Sequence, residues 1–291
     1  MNDNEYLKRE LDILYRTYNK DYLNTDPLMF VHRYSGKENR EFAGLISASL
    51  AYGNVKQIFA SIEQVLEPLG NSPVDYVRNF SVHRTVKLYR NFTHRFNNGR
   101  DIALLLYFLH QIYDRYPSLE SFFIEGYNTG DATIEQGLTR FVTHILDLDC
   151  SPFYRDGVPG AAGVRFLLSS PSNGSACKRM NMFLRWMVRH DDGLDCGLWK
   201  NISASQLIIP LDSHTARICR YIGLTKRRNA SWRMALEITE NLRTLEPGDP
   251  TKYDFALSRL GILDVCVHKY KKDVCERCRL FNLCCLTANV R

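Results

Sequence analysis

No stretch of this chain alternates apolar and polar residues convincingly, as a half-buried strand would. Nearly every segment instead repeats its apolar residues at helical spacing. Leu7, Leu11 and Leu14 with Tyr15 follow that period, as do Ile102, Leu105, Leu109 and Ile112. Between Ala176 and Arg189, Met180, Phe183, Leu184 and Met187 form one apolar face. Asp26-Pro27, Asn71-Ser72-Pro73, Pro117-Ser118, Asp156 to Gly160 and Pro247 to Pro250 interrupt these runs with residues that cap or break helices. The pattern predicts an all-α protein of about ten or more helices joined by short loops. At 291 residues the chain has room for one large domain or two modest ones.

Composition excludes several classes. Hydrophobic residues at 45% and charged ones at 24% are ordinary for a folded chain, and no low-complexity stretch points to a disordered arm. Met1 to Lys8 carries acids and amides where a signal peptide has a basic then an apolar run. No apolar run reaches the ~18 residues of a membrane span, so a cytoplasmic location without membrane contact is expected. Lys and Arg exceed Asp and Glu by 38 to 32, which permits an anionic partner without requiring one. Neither a phosphate-binding glycine loop nor a dinucleotide fingerprint occurs.

Nine cysteines are unevenly placed: five lie between Cys266 and Cys285. Cys266, Cys275, Cys278 and Cys284 are spaced C-x8-C-x2-C-x5-C, and four soft thiolates so close together suit either a [4Fe-4S] cube or a tetrahedral zinc ion. In a reducing compartment such crowding favours metal over disulfides. Cys285 is a spare thiol beside the last of them. Upstream, Asp212 precedes Ser213 and a helical pattern carrying Ala216, Ile218 and Ile222, which places it at a helix start. There an anion is stabilised by unpaired amides and the positive end of the helix dipole.

These segments resemble a known superfamily. The cysteine spacing is similar to the C-x6-C-x2-C-x5-C that closes endonuclease III and related adenine glycosylases, with a first gap two residues longer, filled by Val267 to Val274. Asp254 to Gly261 (DFALSRLG) resembles the helix leading into that cluster, and Leu211-Asp212-Ser213-His214 through Arg217-Ile218 resembles the V-D-T-H-x-x-R-V signature. Glu41 to Tyr52 resembles the first helix of the family's barrel. The chain is thereby identified as similar to the helix-hairpin-helix base-excision DNA glycosylases.

The resemblance implies a two-lobed, all-α fold of the endonuclease III type. A helical barrel lobe would span 36–205, and a cluster lobe would combine 1–35 with 206–291, the active site lying between them. It implies a [4Fe-4S] cluster on Cys266, Cys275, Cys278 and Cys284, zinc being the alternative, and Asp212 as the catalytic carboxylate. The family's hairpin, L-P-G-V-G-x-K-T-A, is matched only loosely by Pro171 to Arg179, with Gly174 as its single glycine. From that stretch Asn173, Gly174, Ser175 and Arg179 are expected to meet DNA, and Lys178 falls where bifunctional members carry the lysine that attacks the sugar. Asn54 and Gln57 fall in the region that supplies the residue filling the gap left by a flipped base. Among aromatic side chains, Tyr52, Phe153, Tyr154 and Trp186 are candidates for base stacking.

The expected function is removal of a damaged base, from double-stranded DNA carrying a damaged or mismatched base, by a monomeric enzyme, with or without strand cleavage at the abasic site. Lys178 and Asp212 are 34 residues apart, a link comparable to that of the archaeal 8-oxoguanine glycosylases, which makes oxidised guanine the first substrate to test. A non-catalytic nucleic-acid-binding protein with a structural metal cluster, or a glycosylase for RNA or nucleosides, remain alternatives.

Overall fold

A computed structural model describes residues 3–288. The protein is mostly helical, with 58% helix and 1% strand, as the apolar periodicity requires. Nine helices of nine or more residues organise the described chain: α1 (Asp3–Thr17), α2 (Lys37–Ser49), α3 (Val55–Leu66), α4 (Gly99–Arg115), α5 (Glu135–Leu146), α6 (Lys178–Val188), α7 (Ser213–Tyr221), α8 (Trp232–Leu245) and α9 (Asp254–Ile262). Shorter helical turns fill the connections. The strands β1 (Thr93–His94) and β2 (Asn97–Asn98) form one antiparallel hairpin, too short to display a period in the sequence.

Many helix starts are set by side chains that accept backbone N–H groups otherwise left unpaired. Asn54 caps α3, Asn98 caps α4 in a reciprocal box with Asp101, Ser231 caps α8 and Asp212 caps α7. Leu7, Leu11 and Leu14 are buried where α1 packs on α8 and α9, and Ile102, Leu105, Leu109 and Ile112 are buried along α4.

Helix α2 is covered on every side; residues 41–51 are all buried. It packs closely on α6 because Gly44 has no side chain: a Cβ there would sit 2.8 Å from Met187 Cε. Glu41 is buried in this packing and accepts from Trp199 Nε1 at 2.6 Å and from the Leu119 N–H at 3.1 Å.

Helix α6 departs from its expected one-sided pattern: residues 179–188 are all buried. Its polar face is accommodated by ion pairs. Arg185 pairs with Asp195 and Asp254, and Arg189 with Asp192, Asp195 and Asp249. Buried arginine is tolerated only with such partners. Among the described residues no helix is long and apolar enough to cross a membrane.

Candidate active site

Asp212 follows the extended segment Leu207 to Leu211, which is buried. Its Oδ1 accepts from the N–H groups of His214 at 2.9 Å and Thr215 at 2.8 Å, fixing the carboxylate at the N-terminus of α7. Burial pushes this carboxyl up. The ammonium of Lys178, the Thr215 N–H and His214 outweigh that effect, so Asp212 titrates below its usual value and stays ionised at neutral pH.

Lys178 reaches the same place from α6. Cys177, immediately before it, takes a left-handed backbone conformation (φ 47°) that turns the chain into the helix. The Lys178 Nζ lies 3.6 Å from Asp212 Oδ2, and both side chains line one cleft of roughly 360 Å³. The remaining walls come from Thr25 to Pro27, from Tyr52 and Gly53 between α2 and α3 with Val55 at the start of α3, and from Asp254, Ser258 and Ile262 of α9. Behind Asp212, the His214 ring occupies space left by Gly261, and its Nδ1 lies 3.1 Å from His268 Nε2.

Asn173, Gly174 and Ser175 form an exposed turn, with Gly174 left-handed at φ 68°. The N–H groups of Asn173 and Gly174 are used inside that turn, on Ser170 O and Pro171 O. The first turn of α6, which follows, has no side-chain cap.

Arg179 is a correction. It is buried, not presented to DNA: its guanidinium donates to the carbonyls of Ser49 and Phe166 and lies over the Tyr52 and Phe166 rings. With these partners it fastens the cleft wall and has turned away from solvent.

Asn54 and Gln57 are exposed but absent from the cleft lining. Asn54 is occupied capping α3 through Lys56 N, and Gln57 donates to Ser61 Oγ. Their neighbours Tyr52, Gly53 and Val55 form the wall instead. Of the four aromatic candidates, only Tyr52 lines the cleft. Trp186 is core, and Phe153 borders a separate groove beside α4.

The cleft also contains residues that the sequence did not single out. Arg185, Asp254, Arg259 and Asp26 line it while remaining buried, and so form its floor. Arg259 pairs with Asp26 at 2.8 Å. Near the mouth, Phe96 at the β1–β2 turn is 65% exposed and packs against Phe166, which in turn meets Tyr52 edge-on. Helical periodicity marks these residues only as core or surface, so no local signal pointed to them.

Cys266, Cys275, Cys278 and Cys284 line a single small apolar-walled cavity together with Val265, Val274 and Phe281. The Lys271 N–H donates to Cys275 Sγ at 3.4 Å. Burial raises the thiols of Cys266, Cys278 and Cys284. Among the described residues no three His, Cys, Asp or Glu side chains converge at metal-binding distance. The exposed Cys285 lies outside the cavity.

Residues 26–263 match the model of a family described as a protein of unknown function (DUF2400). The chain belongs to this family. The family match includes Lys178, Asp212 and Asp254 and ends before the first of the clustered cysteines. No curated protein and no solved structure matches the chain.

Proposed function

We propose that this protein is a DNA glycosylase of the helix-hairpin-helix type that removes a damaged base from duplex DNA and also cleaves the resulting abasic site. The observation that carries this reading is the Lys178–Asp212 pair, 34 positions apart in sequence and 3.6 Å apart across one cleft. An amine and an ionised carboxylate in a partly closed site are the groups that N-glycosidic cleavage with covalent catalysis requires.

Breaking the bond between a base and its sugar leaves positive charge on the sugar ring. The Asp212 carboxylate, held by two N–H groups of α7, is a fixed negative charge to stabilise it. After its ammonium has given one proton to solvent, Lys178 Nζ attacks C1′ as the base departs with the bonding electron pair. Asp212 Oδ2 is positioned to receive the proton the amine loses. The C1′–O4′ bond of the adduct then breaks, O4′ taking a proton, to give a Schiff base; loss of a C2′ proton expels the 3′ phosphate and cleaves the strand, and water hydrolyses the imine to release Lys178.

The base reaches the cleft by flipping from the duplex. The first turn of α6, which begins at Lys178 and has no side-chain cap, follows the exposed turn at Asn173 to Ser175, and its amides and helix dipole attract a phosphate. In this reading the barrel lobe spans 36–205, the cluster lobe combines 1–35 with 206–291, and the cleft lies between them.

The four cysteines are proposed as the ligands of a [4Fe-4S] cluster, a reading supported by their spacing and by the one apolar cavity that all four border. Zinc is the alternative for the same set. Bound there, the metal would brace the segment beyond α9; no step of base removal passes through it. Metal analysis with an optical spectrum of anaerobically purified protein separates iron and sulfide from zinc.

The test of the function is direct. Duplexes each bearing one damaged base, beginning with oxidised guanine, are incubated with the protein and then treated with borohydride. Base release and a trapped protein–DNA adduct that disappears in Lys178→Gln are expected. A panel without release or adduct overturns the proposal; release without an adduct restricts it to Asp212 acting with water.

A further inference from the structure

The floor of the cleft holds two further carboxyl groups, Asp26, which is paired with Arg259, and Asp254. Asp254 opens α9, is 4% exposed and lines the same cleft as Asp212 and Lys178. One of its oxygens, Oδ2, accepts from Arg185 NH1, whereas Oδ1 is buried with no hydrogen-bond partner. A buried oxygen of this kind forfeits the bonds it would make to water, and because Asp254 is among the residues lining the cleft, a ligand seated on the floor can supply the missing partner.

Resting on the glycosylase reading, we infer that Asp254 is the general acid for the departing base. A flipped base whose sugar lies against the Lys178–Asp212 pair extends further into the cleft, whose floor includes Asp254. Cleavage sends the C1′–N electron pair to the base, which is a poor leaving group as an anion. The proton on Asp254 Oδ1 passes to a ring nitrogen or carbonyl oxygen of the base, which leaves neutral. Asp254 becomes a carboxylate against the Arg185 guanidinium, C1′ is bonded to Lys178 Nζ, and the proton given up by the lysine returns to solvent through Asp212. Solvent then reprotonates Asp254.

The surroundings separate the two carboxyls in the manner that acid and base roles require. Burial raises Asp254 to about 6, with Arg185 opposing and Asp212 and Asp195 adding to the rise, while Asp212 is held low. The charged and titratable groups acting on Asp254 are Arg185 of α6, Asp195 in the loop after it and Asp212 at the start of α7, and Asp254 in turn acts on Cys219 of α7. Arg185 anchors one oxygen and leaves the other for the substrate.

The substrate class follows: neutral bases, which need a proton to leave. A base that is already cationic, such as 7-methylguanine, needs none. The experiment compares single-turnover release of neutral damaged bases and of 7-methylguanine from matched duplexes, by the wild-type protein and by Asp254→Asn, across pH. Neutral-base release by the wild type is expected to fall as pH rises above about 6, with 7-methylguanine release falling much less. In Asp254→Asn the ratio of neutral to cationic release should drop about 100-fold or more.

Equal loss for both bases in a folded variant, with parallel pH profiles in the wild type, overturns the assignment and leaves Asp254 a structural partner of Arg185. Should Asp254→Asn fail to fold, the wild-type profiles alone decide. Wild-type release restricted to cationic bases overturns the assignment while leaving the glycosylase reading intact. Absence of release from every duplex removes that reading itself.

Discussion

Asp212 has two tasks that substitution can separate. As a helix cap it needs an acceptor oxygen, which asparagine also supplies at this position; as a neighbour of a cationic sugar it needs the charge. Asp212→Asn is therefore expected to unfold within a few degrees of the wild type while base release falls by about 100-fold or more. Circular dichroism melting and single-turnover kinetics on the same preparation check the two halves. Comparable loss of both would show that the carboxylate is only structural.

Asp212 was legible because capping is a local property, as was the segment containing Lys178. Arg179, the next residue along, was not. Its direction is set by α6 packing against α2 and by carbonyls at Ser49 and Phe166, far away in sequence. Asp254 was visible only as part of the segment that resembles the helix before the cysteine cluster, and its unpaired oxygen arises from the way α6 and α7 meet α9. Gly261 shows the same limit: a Cβ would lie 2.5 to 2.7 Å from the His214 ring. Alanine normally stabilises a helix interior by about 1 kcal/mol over glycine. Here overpacking of about 1–3 kcal/mol opposes it, so Gly261→Ala should lower the melting temperature and disturb the α7 start that holds Asp212.

At the scale of elements, helix positions follow from apolar period and breakers, so most of the all-α architecture was readable. The β1–β2 hairpin was not, because two-residue strands carry no period. The buried status of α6 was hidden too: Arg185 and Arg189 resemble a solvated face until Asp195, Asp249 and Asp254 arrive from elsewhere in the chain. Helix α2 shows a testable consequence of complete burial. Glu41 is pushed up by burial to about 7, against an ordinary 4.5, despite Lys37 and the Leu119 and Trp199 donors. A carboxyl that binds its proton more tightly when folded contributes stability that is complete below about pH 4.5 and is lost as pH rises towards 7. Thermal unfolding measured between those values should show a decline that is reduced in Glu41→Gln. An unchanged slope in the variant would assign the decline to other groups.

Across the whole molecule, the cleft depends on distant parts of the chain being held together. Helix α1 packs on α8 and α9, where Asp12 pairs with Lys252 at 2.8 Å and accepts from Tyr253, and Lys8 pairs with Glu246. More deeply, Arg189 at the end of α6 joins Asp192 and Asp195 of the following loop to Asp249 before α9. This network links the helix carrying Lys178 to the helix carrying Asp254. Arg189→Met keeps much of the side-chain volume but leaves three carboxylates without their shared cation. Breaking one partner of a buried ion network costs about 3–5 kcal/mol, and the urea midpoint should fall accordingly. Because Arg189 does not line the cleft, molecules that remain folded should release base with little change in rate. Asp212→Asn should do the reverse, retaining stability and losing rate. If Arg189→Met instead lost rate in proportion to stability, the network would be setting the Lys178–Asp212 geometry directly, and the two walls of the cleft would have to be treated as one coupled unit.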